Sequence, residues 1–380
     1  NLDIQHLKYK NDLNIDSFIH MLDDTTECYK FYWLDALLKL FSLGKTEIVF
    51  DDLINQMIAD AWYSVVEYHL HLGTKNASGK IMNNLERAVI KLSQLTNIPN
   101  DADRDTIILA VKENDRELHG EKDQLTKNVP YRMLSPFMHE IKGNDRIWDQ
   151  KKRLIAYIEQ LNKKECIPYQ ITDGAGLKKH VVINEEWQDF FMDNFVTISG
   201  WIEVKKVRYL QGRNPGVPGI IYKLVPENNK QRKLRYVRNL WNTIIETKPV
   251  YDIYSEKLLG LNDFDIDHFV PWSFVANDEL WNLLPMDSSL NSSKSNNLPQ
   301  WKYFELFAKN QYMMYESAKS SEKIMDKFKK CQRDNLVMPW SMEELYIAEN
   351  DREAFIKVLE EKLHPVYDSA RIQGYEIWRM

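Results

Sequence analysis

Cysteine is scarce in this chain. Only three are present in 380 residues, and they lie far apart, at Cys28, Cys166 and Cys331. No two of them have the spacing of a zinc site or of a redox-active pair. A small secreted protein held together by disulfides would need more of them. We therefore expect neither a disulfide framework nor a structural zinc ion, and the composition suits a reducing cytoplasm.

Long apolar runs and a signal peptide are also missing, which argues against a membrane span and against a membrane partner. The first residue is Asn1 rather than Met, so we expect a few residues of the natural chain to precede it. Hydrophobic residues make up 44% of the chain and charged residues 28%, as in ordinary globular proteins. A chain of this length can form two or three cores.

The chain as a whole has no excess of positive charge, but basic residues are concentrated in residues 205–238. The net charge of −6 argues against a protein that coats nucleic acid indiscriminately. The segment itself has ten basic residues and one acid, Glu227. This pattern predicts a localised phosphate-binding surface, and a solvated basic helix face is the alternative. Within the segment, the candidates for nucleic-acid contact are Arg213, Arg232, Arg235 and Arg238.

The hydrophobic pattern predicts an α+β protein that is mostly helical. The segment Lys112–Asp123 is highly charged and contains Gly120, so we expect a surface loop or linker there. Two short β-prone runs flank a glycine-containing turn and predict a hairpin over 166–183. Prolines 339 and 365 are expected to bound helices. The predicted helices include 31–41, 54–68, 146–161, 231–245, 301–331 and 342–363.

The reactive groups lie together between residues 265 and 296. Asp265-Ile-Asp-His268 is followed by Asn282-Leu-Leu-Pro and then by Asn291-Ser-Ser-Lys-Ser-Asn296. Cleaving a phosphodiester requires a base for water, a positive charge near the phosphoryl oxygens and a stabilised leaving oxygen. Neutral histidine can act as the base at physiological pH. Magnesium can serve the other two needs, and it prefers carboxylate and amide oxygens such as those of Asp267 and Asn291.

The local pattern is compatible with such a site. Residues 264–271 can form a short strand, and a helix capped by Asp287 or Ser288 is expected to end before Pro299. On that helix Asn291 and Lys294 share a face, since they lie three residues apart. Neighbouring residues on a strand point to opposite faces, so Asp267 and His268 can serve one site only if the strand bends or ends there.

The order and spacing of these residues resemble the HNH endonucleases, the ββα-metal family. The likeness is greatest to the HNH domain of RNA-guided CRISPR nucleases and to stand-alone bacterial HNH defence proteins, and it covers residues 250–300. It implies that Asp267 and Asn291 bind the metal, Mg²⁺ or alternatively Mn²⁺. It also implies that His268 is the general base, that Asn282 braces the histidine and that Lys294 contacts phosphate.

Two departures from the family are evident. Many HNH proteins carry cysteine pairs around the motif, whereas residues 250–256 here contain none. No second cluster resembles a RuvC-type nuclease, and no long arginine-rich bridge helix is present, so the chain is not a whole CRISPR effector. Packing is therefore expected to hold the element together.

We therefore expect a metal-dependent endonuclease that nicks DNA and serves in bacterial anti-phage defence or restriction. A non-cleaving nucleic-acid-binding module and an RNA-directed nuclease are the alternatives. Partner proteins are expected at the N-terminal helical region. The predicted domains are a recognition or regulatory domain at 1–125, a mixed connecting region at 126–204, the basic segment with the HNH core at 205–300, and packing C-terminal helices at 301–380.

Overall fold

The computed structural model describes residue 9 and residues 12–23, 25–172, 174–225, 234–333 and 339–380. The chain forms two compact units. Unit 1 comprises Asn1–Pro215 with Lys223–Pro226, and unit 2 comprises Gly216–Tyr222 with Glu227–Met380. Among the described residues, no helix combines the length and apolar character needed to cross a bilayer.

Unit 1 is a helical assembly with one small sheet. Its three short strands pair antiparallel in the order β1-β3-β2. The strands are β1 (Glu47–Val49), β2 (Tyr169–Ile171) and β3 (His180–Ile183). The helices are α1 (Ile15–Ile19), α2 (Tyr29–Ser42), α3 (Phe50–Val66), α4 (Asn84–Leu95), α5 (Arg104–Glu113), α6 (Asp115–Leu125), α7 (Val129–Arg132), α8 (Lys151–Lys164) and α9 (Glu185–Arg213).

The core of unit 1 lies around α3, which packs against α2, α4 and α5. Helix α2 is apolar on most faces and buries ten of its fourteen residues, as a central helix must. An aromatic cluster in which Phe18 contacts Trp187, Phe190 and Phe191 joins α1 to α9. The predicted N-terminal helices and the 166–183 hairpin are confirmed by α2, α3 and the pairing of β2 with β3.

The prediction of a loop at Lys112–Asp123 is wrong, because α5 and α6 cover this segment. Leu118 in this segment and Leu125 just after it are buried, and they lie seven residues apart, about two turns of helix. Lys122 is fully buried, and its ammonium lies 2.5 Å from carboxylate oxygens of both Asp51 and Asp115. Most of the other charged residues of the segment are exposed, so a solvated helix surface was mistaken for a loop.

Unit 2 contains a two-stranded antiparallel hairpin followed by a helix, and three longer helices come after these. The strands are β4 (Asp265–His268) and β5 (Leu283–Met286). The helices are α10 (Arg235–Ile245), α11 (Trp272–Val275), α12 (Ser288–Lys294), α13 (Phe304–Ser320), α14 (Glu322–Arg333) and α15 (Arg352–Gln373). The predicted α+β fold, mostly helical and with a ββα element before C-terminal helices, is confirmed.

The hairpin of unit 2 is covered by helices rather than by a larger sheet. Helices α10 and α12 contact β4, and α13 contacts β5. The Gln311 amide of α13 donates to the Leu283 carbonyl at 2.5 Å. Just beyond β4, the ring of Phe269 stacks on Phe307 with centroids 4.4 Å apart. These contacts fix the hairpin from several sides, which matters because an isolated hairpin is marginally stable in water.

Three expectations for unit 2 change in detail, of which the first is that the predicted helix over 342–363 begins, as α15, only at Arg352. The predicted helix over 301–331 is divided into α13 and α14 at Ser321, which has an extended backbone. Pro365 was expected to end a helix, but α15 continues through it to Gln373. The buried residues of α15, among them Leu359, Leu363 and Tyr367, continue the apolar stripe across the proline. Packing therefore outweighs the local cost of proline in a helix.

Pro365 is exposed, so replacing it by alanine removes little packing. We expect Pro365→Ala to raise the free energy of unfolding of the protein by about 1 to 3 kcal/mol, because it restores the amide that proline lacks. Chemical denaturation followed by circular dichroism measures this. Glu360→Ala, at another exposed site of α15, is the matched control and should change stability by less than about 0.5 kcal/mol. A Pro365→Ala protein no more stable than wild type contradicts the prediction.

Candidate active site

Strand β4 places two carboxylates on one face of the hairpin. Asp265 and Asp267 are two residues apart, so they point to the same side of the strand. The pairing register sets Asp265 opposite Met286 and Asp267 opposite Leu284. The side chain of Asp265 is 36% exposed, whereas that of Asp267 is only 9% exposed. The strand ends at His268, as is required if Asp267 and His268 are to serve one site.

Helix α12 lies against this face and brings two polar side chains to the carboxylates. Asp287 caps the helix and accepts hydrogen bonds from the amides of Ser289 and Leu290, as the sequence predicts. The hydrogen bond from the Lys257 ammonium lowers the pKa of Asp287 well below its usual range, so the cap stays ionised. One turn further on, the Asn291 amide donates to Asp265 Oδ2 at 3.4 Å.

Lys294, at the end of α12, is fully buried and points back to β4. Its ammonium lies 2.9 Å from Asp267 Oδ2, outside hydrogen-bond geometry, and donates to Oδ1 at 3.3 Å. It also donates to the backbone carbonyl of His268 at 2.8 Å. The contacts that the structure gives Lys294 are therefore with the two central residues of the motif, and a phosphate contact remains a prediction.

The oxygens near Asp267 suit a hard divalent cation. Asp267 Oδ2 is buried and accepts no hydrogen bond, and the buried hydroxyl of Tyr254 likewise makes none. Burial, and then the charge of Asp267, raise the pKa of Tyr254 well above its ordinary value, so it stays neutral. No group of three or more His, Cys, Asp and Glu side chains is placed to hold a metal within the described ranges. Coordination of a metal by the Asn291 amide oxygen together with Asp267 therefore remains a prediction.

The imidazole of His268 faces a carboxylate that the sequence did not single out. His268 Nε2 lies 2.8 Å from Asp278 Oδ1, across a ten-residue separation. The side chain of His268 is 5% exposed and that of Asp278 is 18% exposed. The ring is thus held in a protected position, with its ε nitrogen engaged by an anion.

Asn282 is fully buried and acts on the backbone beyond His268 rather than on its ring. Its side-chain oxygen accepts from the Val270 amide, and its side-chain nitrogen donates to the Val270 carbonyl, both at 2.8 Å. Its own backbone carbonyl accepts from the Phe269 amide at 2.8 Å. Asn282 therefore fixes the chain immediately after the histidine, which constrains His268 indirectly.

The segment before β4 is joined to α12 by a buried carboxylate, that of Asp252. One oxygen accepts from the amides of Tyr254 and Ser255 at 2.8 and 2.9 Å, and the other accepts from the Asp287 amide at 2.7 Å. Three backbone hydrogen bonds thus connect a turn to the helix that carries Asn291 and Lys294. No residue of 250–256 is a cysteine, so thiolates have no part in this junction.

The predicted nucleic-acid contacts are divided between the two units. In unit 1, Arg213 donates to the Thr26 carbonyl at 2.8 Å and to the Tyr209 hydroxyl. In unit 2, Arg238 connects α10 to β4 through the Phe264 carbonyl and Asp265. Arg235 is exposed on α10, and Arg232 lies outside the described residues. Nucleic-acid contact by these arginines remains a prediction.

Sequence reasoning identified Asp267, His268, Asn282, Asn291 and Lys294 but missed other residues of the site. Asp278 lies in a loop whose sequence, Asn277-Asp-Glu279, has no distinctive spacing. Asp252 and Tyr254 lie in a segment that the sequence marks only by its lack of cysteine. The one usable signal for Asp278 was the presence of an acid between His268 and Asn282. Glu279 fits that signal equally well, so the sequence could not distinguish the two.

The buried pair of Lys294 and Asp267 yields a stability prediction. Lys294→Met removes the cation and leaves the Asp267 carboxylate uncompensated, so we expect the free energy of unfolding to fall by about 3 to 5 kcal/mol. Lys294→Met combined with Asp267→Asn should recover part of this loss, because no buried charge is left alone. Denaturant titration measures both, with Lys329→Met on exposed α14 surface as control. If Lys294→Met is as stable as the control Lys329→Met, the buried ion pair between Lys294 and Asp267 does not stabilise the fold.

The comparisons with known proteins agree with this local geometry. No curated protein and no solved structure matches the chain. Residues 252–300 match the family model described as HNH endonuclease. The matched stretch begins at Asp252, ends just after α12 and contains every site residue of unit 2 described above except Arg238 and Arg235 of α10. Residues 252–300 of this chain are therefore similar to the HNH endonucleases.

Proposed function

We propose that the chain is a metal-dependent endonuclease that hydrolyses phosphodiester bonds of DNA at the HNH element. The observation that carries this proposal is the packing of α12 on one face of β4. It brings Asn291 to Asp265 and Lys294 to Asp267, next to a histidine at the strand end. A surface that only bound nucleic acid would not need a buried carboxylate and a protected imidazole.

Each residue has a distinct task in this proposal. Asp267 and Asn291 hold Mg²⁺, or Mn²⁺ in its place, through oxygen atoms, and Asp265 orients the Asn291 amide. His268 takes a proton from the attacking water, which a neutral imidazole can do near pH 7. Lys294 holds the Asp267 carboxylate and the His268 carbonyl in register. Asn282 fixes the backbone that follows the histidine.

A bound divalent cation would offset the charge of the phosphoryl oxygens and stabilise the leaving oxygen. The donor set supports such a cation because it consists of oxygens, with one nearly buried carboxylate, and leaves positions for phosphate and water. In the part of the chain that the structure describes, Asp267 Oδ2, which is paired with the Lys294 ammonium at 2.9 Å, and the Tyr254 hydroxyl are buried oxygens that accept no hydrogen bond. By family resemblance the products carry 5′-phosphate and 3′-hydroxyl ends. One such site cuts one strand, so the expected product is a nick.

Cleavage of supercoiled plasmid tests the enzyme directly. With Mg²⁺, wild type should convert it to open circles, and His268→Ala should be slower by about 10² to 10⁴-fold, because the water loses its base. Asp267→Asn should lose activity as well and should bind Mn²⁺ more weakly in a calorimetric titration. EDTA should abolish cleavage by the wild-type protein.

The matched controls are His119→Ala, an exposed histidine of α6, and Asp263→Asn, an exposed acid just before β4. Both should cut like wild type. If His268→Ala cuts as fast as His119→Ala, the base is elsewhere. If wild type retards DNA on a gel but never cuts it, the chain is a binding module. Cleavage of RNA in preference to DNA would assign the other substrate.

We further propose that the protein acts in bacterial anti-phage defence or restriction, with unit 1 in recognition or regulation and in contact with partner proteins. This proposal is based on the small size of the nuclease element, which takes up only a minor part of the chain. The rest of the chain is therefore available for control. Cells expressing wild type should form fewer plaques on phage challenge than cells expressing His268→Ala. Equal plaque numbers across a broad phage panel would count against a defence role.

A further inference from the structure

Among the described residues, the imidazole of His268 makes one side-chain hydrogen bond, through one nitrogen. Nε2 lies 2.8 Å from Asp278 Oδ1, and Nδ1 makes no hydrogen bond to any residue of the described ranges. The backbone of His268 is fixed separately, by pairing with Leu283 and by the Lys294 ammonium. The carboxylate of Asp278 is therefore what sets the orientation of the ring.

An ionised carboxylate can accept a hydrogen bond but cannot donate one. Beside Asp278, the neutral imidazole must therefore carry its proton on Nε2, and Nδ1 keeps its lone pair. A base needs that lone pair, because an imidazole nitrogen that already carries a proton cannot take another from water. The partner of one ring nitrogen thus decides which nitrogen can act as base.

The loop that carries Asp278 is shaped to return to the histidine. Helix α11 ends at Ala276, which has a left-handed backbone with φ of 55°, uncommon for a residue other than glycine. This reverses the chain after one turn of helix. At the base of the loop, Asn282 brackets the Val270 backbone. The loop from 269 to 282 is therefore closed at its base by Asn282, and Asp278 reaches the ring from within it.

We propose that Asp278 is a positioning residue that holds His268 in the tautomer protonated on Nε2 and presents Nδ1 to the attacking water. This inference rests on the proposed endonuclease function for its catalytic consequence, but the tautomer itself is a property of the folded protein. Asp278 therefore orients the ring of His268, whereas Asn282 fixes the backbone that follows His268.

Asp278→Asn tests the idea with little change in shape. An amide can donate as well as accept, so it no longer enforces one tautomer. In ¹⁵N-histidine NMR spectra recorded at a pH where imidazole is neutral, wild-type His268 should show an unprotonated Nδ1 and a protonated Nε2. The resonances are assigned by their loss in His268→Ala. In Asp278→Asn the two signals should move towards the averaged positions of mixed tautomers, and Asp278→Glu should restore part of the wild-type pattern.

Cleavage supplies a second readout. Asp278→Asn should cut plasmid about 10² to 10⁴-fold more slowly than wild type, as expected for a base held in the wrong tautomer. Asp278→Glu should recover part of the rate, and Asp263→Asn, which removes a similar charge nearby, should keep it. Thermal unfolding midpoints of Asp278→Asn and wild type should agree closely, which separates positioning from loss of fold.

The two proposals fail in different ways. If wild type never cuts any nucleic acid, the endonuclease proposal fails while the NMR spectra still decide the tautomer. If Asp278→Asn leaves the His268 signals unchanged, or cuts at the wild-type rate, Asp278 does not position the ring. If Asp278→Asn cuts slowly with an unchanged tautomer, the carboxylate acts in some other way and the inference is overturned.

Discussion

The ββα element of unit 2 depends on one buried ion pair, between Lys294 of α12 and Asp267 of β4. Neither partner element is stable by itself, since a hairpin of two four-residue strands and a seven-residue helix are both below the size that folds alone in water. The pair joins them at the place where the chemistry is expected. Because the lysine also reaches the His268 carbonyl, the same cation fixes the candidate metal ligand and the backbone of the candidate base.

Much of this element could be predicted because its signals are local. A cap at Asp287, the three-residue spacing of Asn291 and Lys294, and an Asp-His pair at a strand end are all visible along a few turns of sequence. Such patterns depend on backbone geometry that tertiary contacts rarely change. The first strand, the helix and the helices after it followed from the same kind of information, whereas the second strand, β5, was implied only by the resemblance to the ββα-metal family.

The remaining features depend on contacts between distant residues. Charged side chains are expected at the surface, so the full burial of Lys294 and of Lys122 could not be foreseen. Asp278 reaches His268 because Ala276 adopts a left-handed backbone. A single alanine in a sequence does not predict that conformation. The basic segment looked uniform in sequence, but Arg213 and Arg238 bond to different parts of the fold in different units.

The junction at Asp252 has a consequence for how this domain tolerates its surroundings. A carboxylate that accepts three backbone amides connects this segment to α12, where many HNH proteins use bound zinc. Thiolates are lost to oxidants and zinc is lost to chelators, but a buried carboxylate bonded to amides is affected by neither. If the domain works as proposed, with a divalent ion at Asp267 and Asn291, its scaffold would not depend on that ion. Withdrawing the ion should then silence the domain while its framework persists, ready to act again once the ion returns.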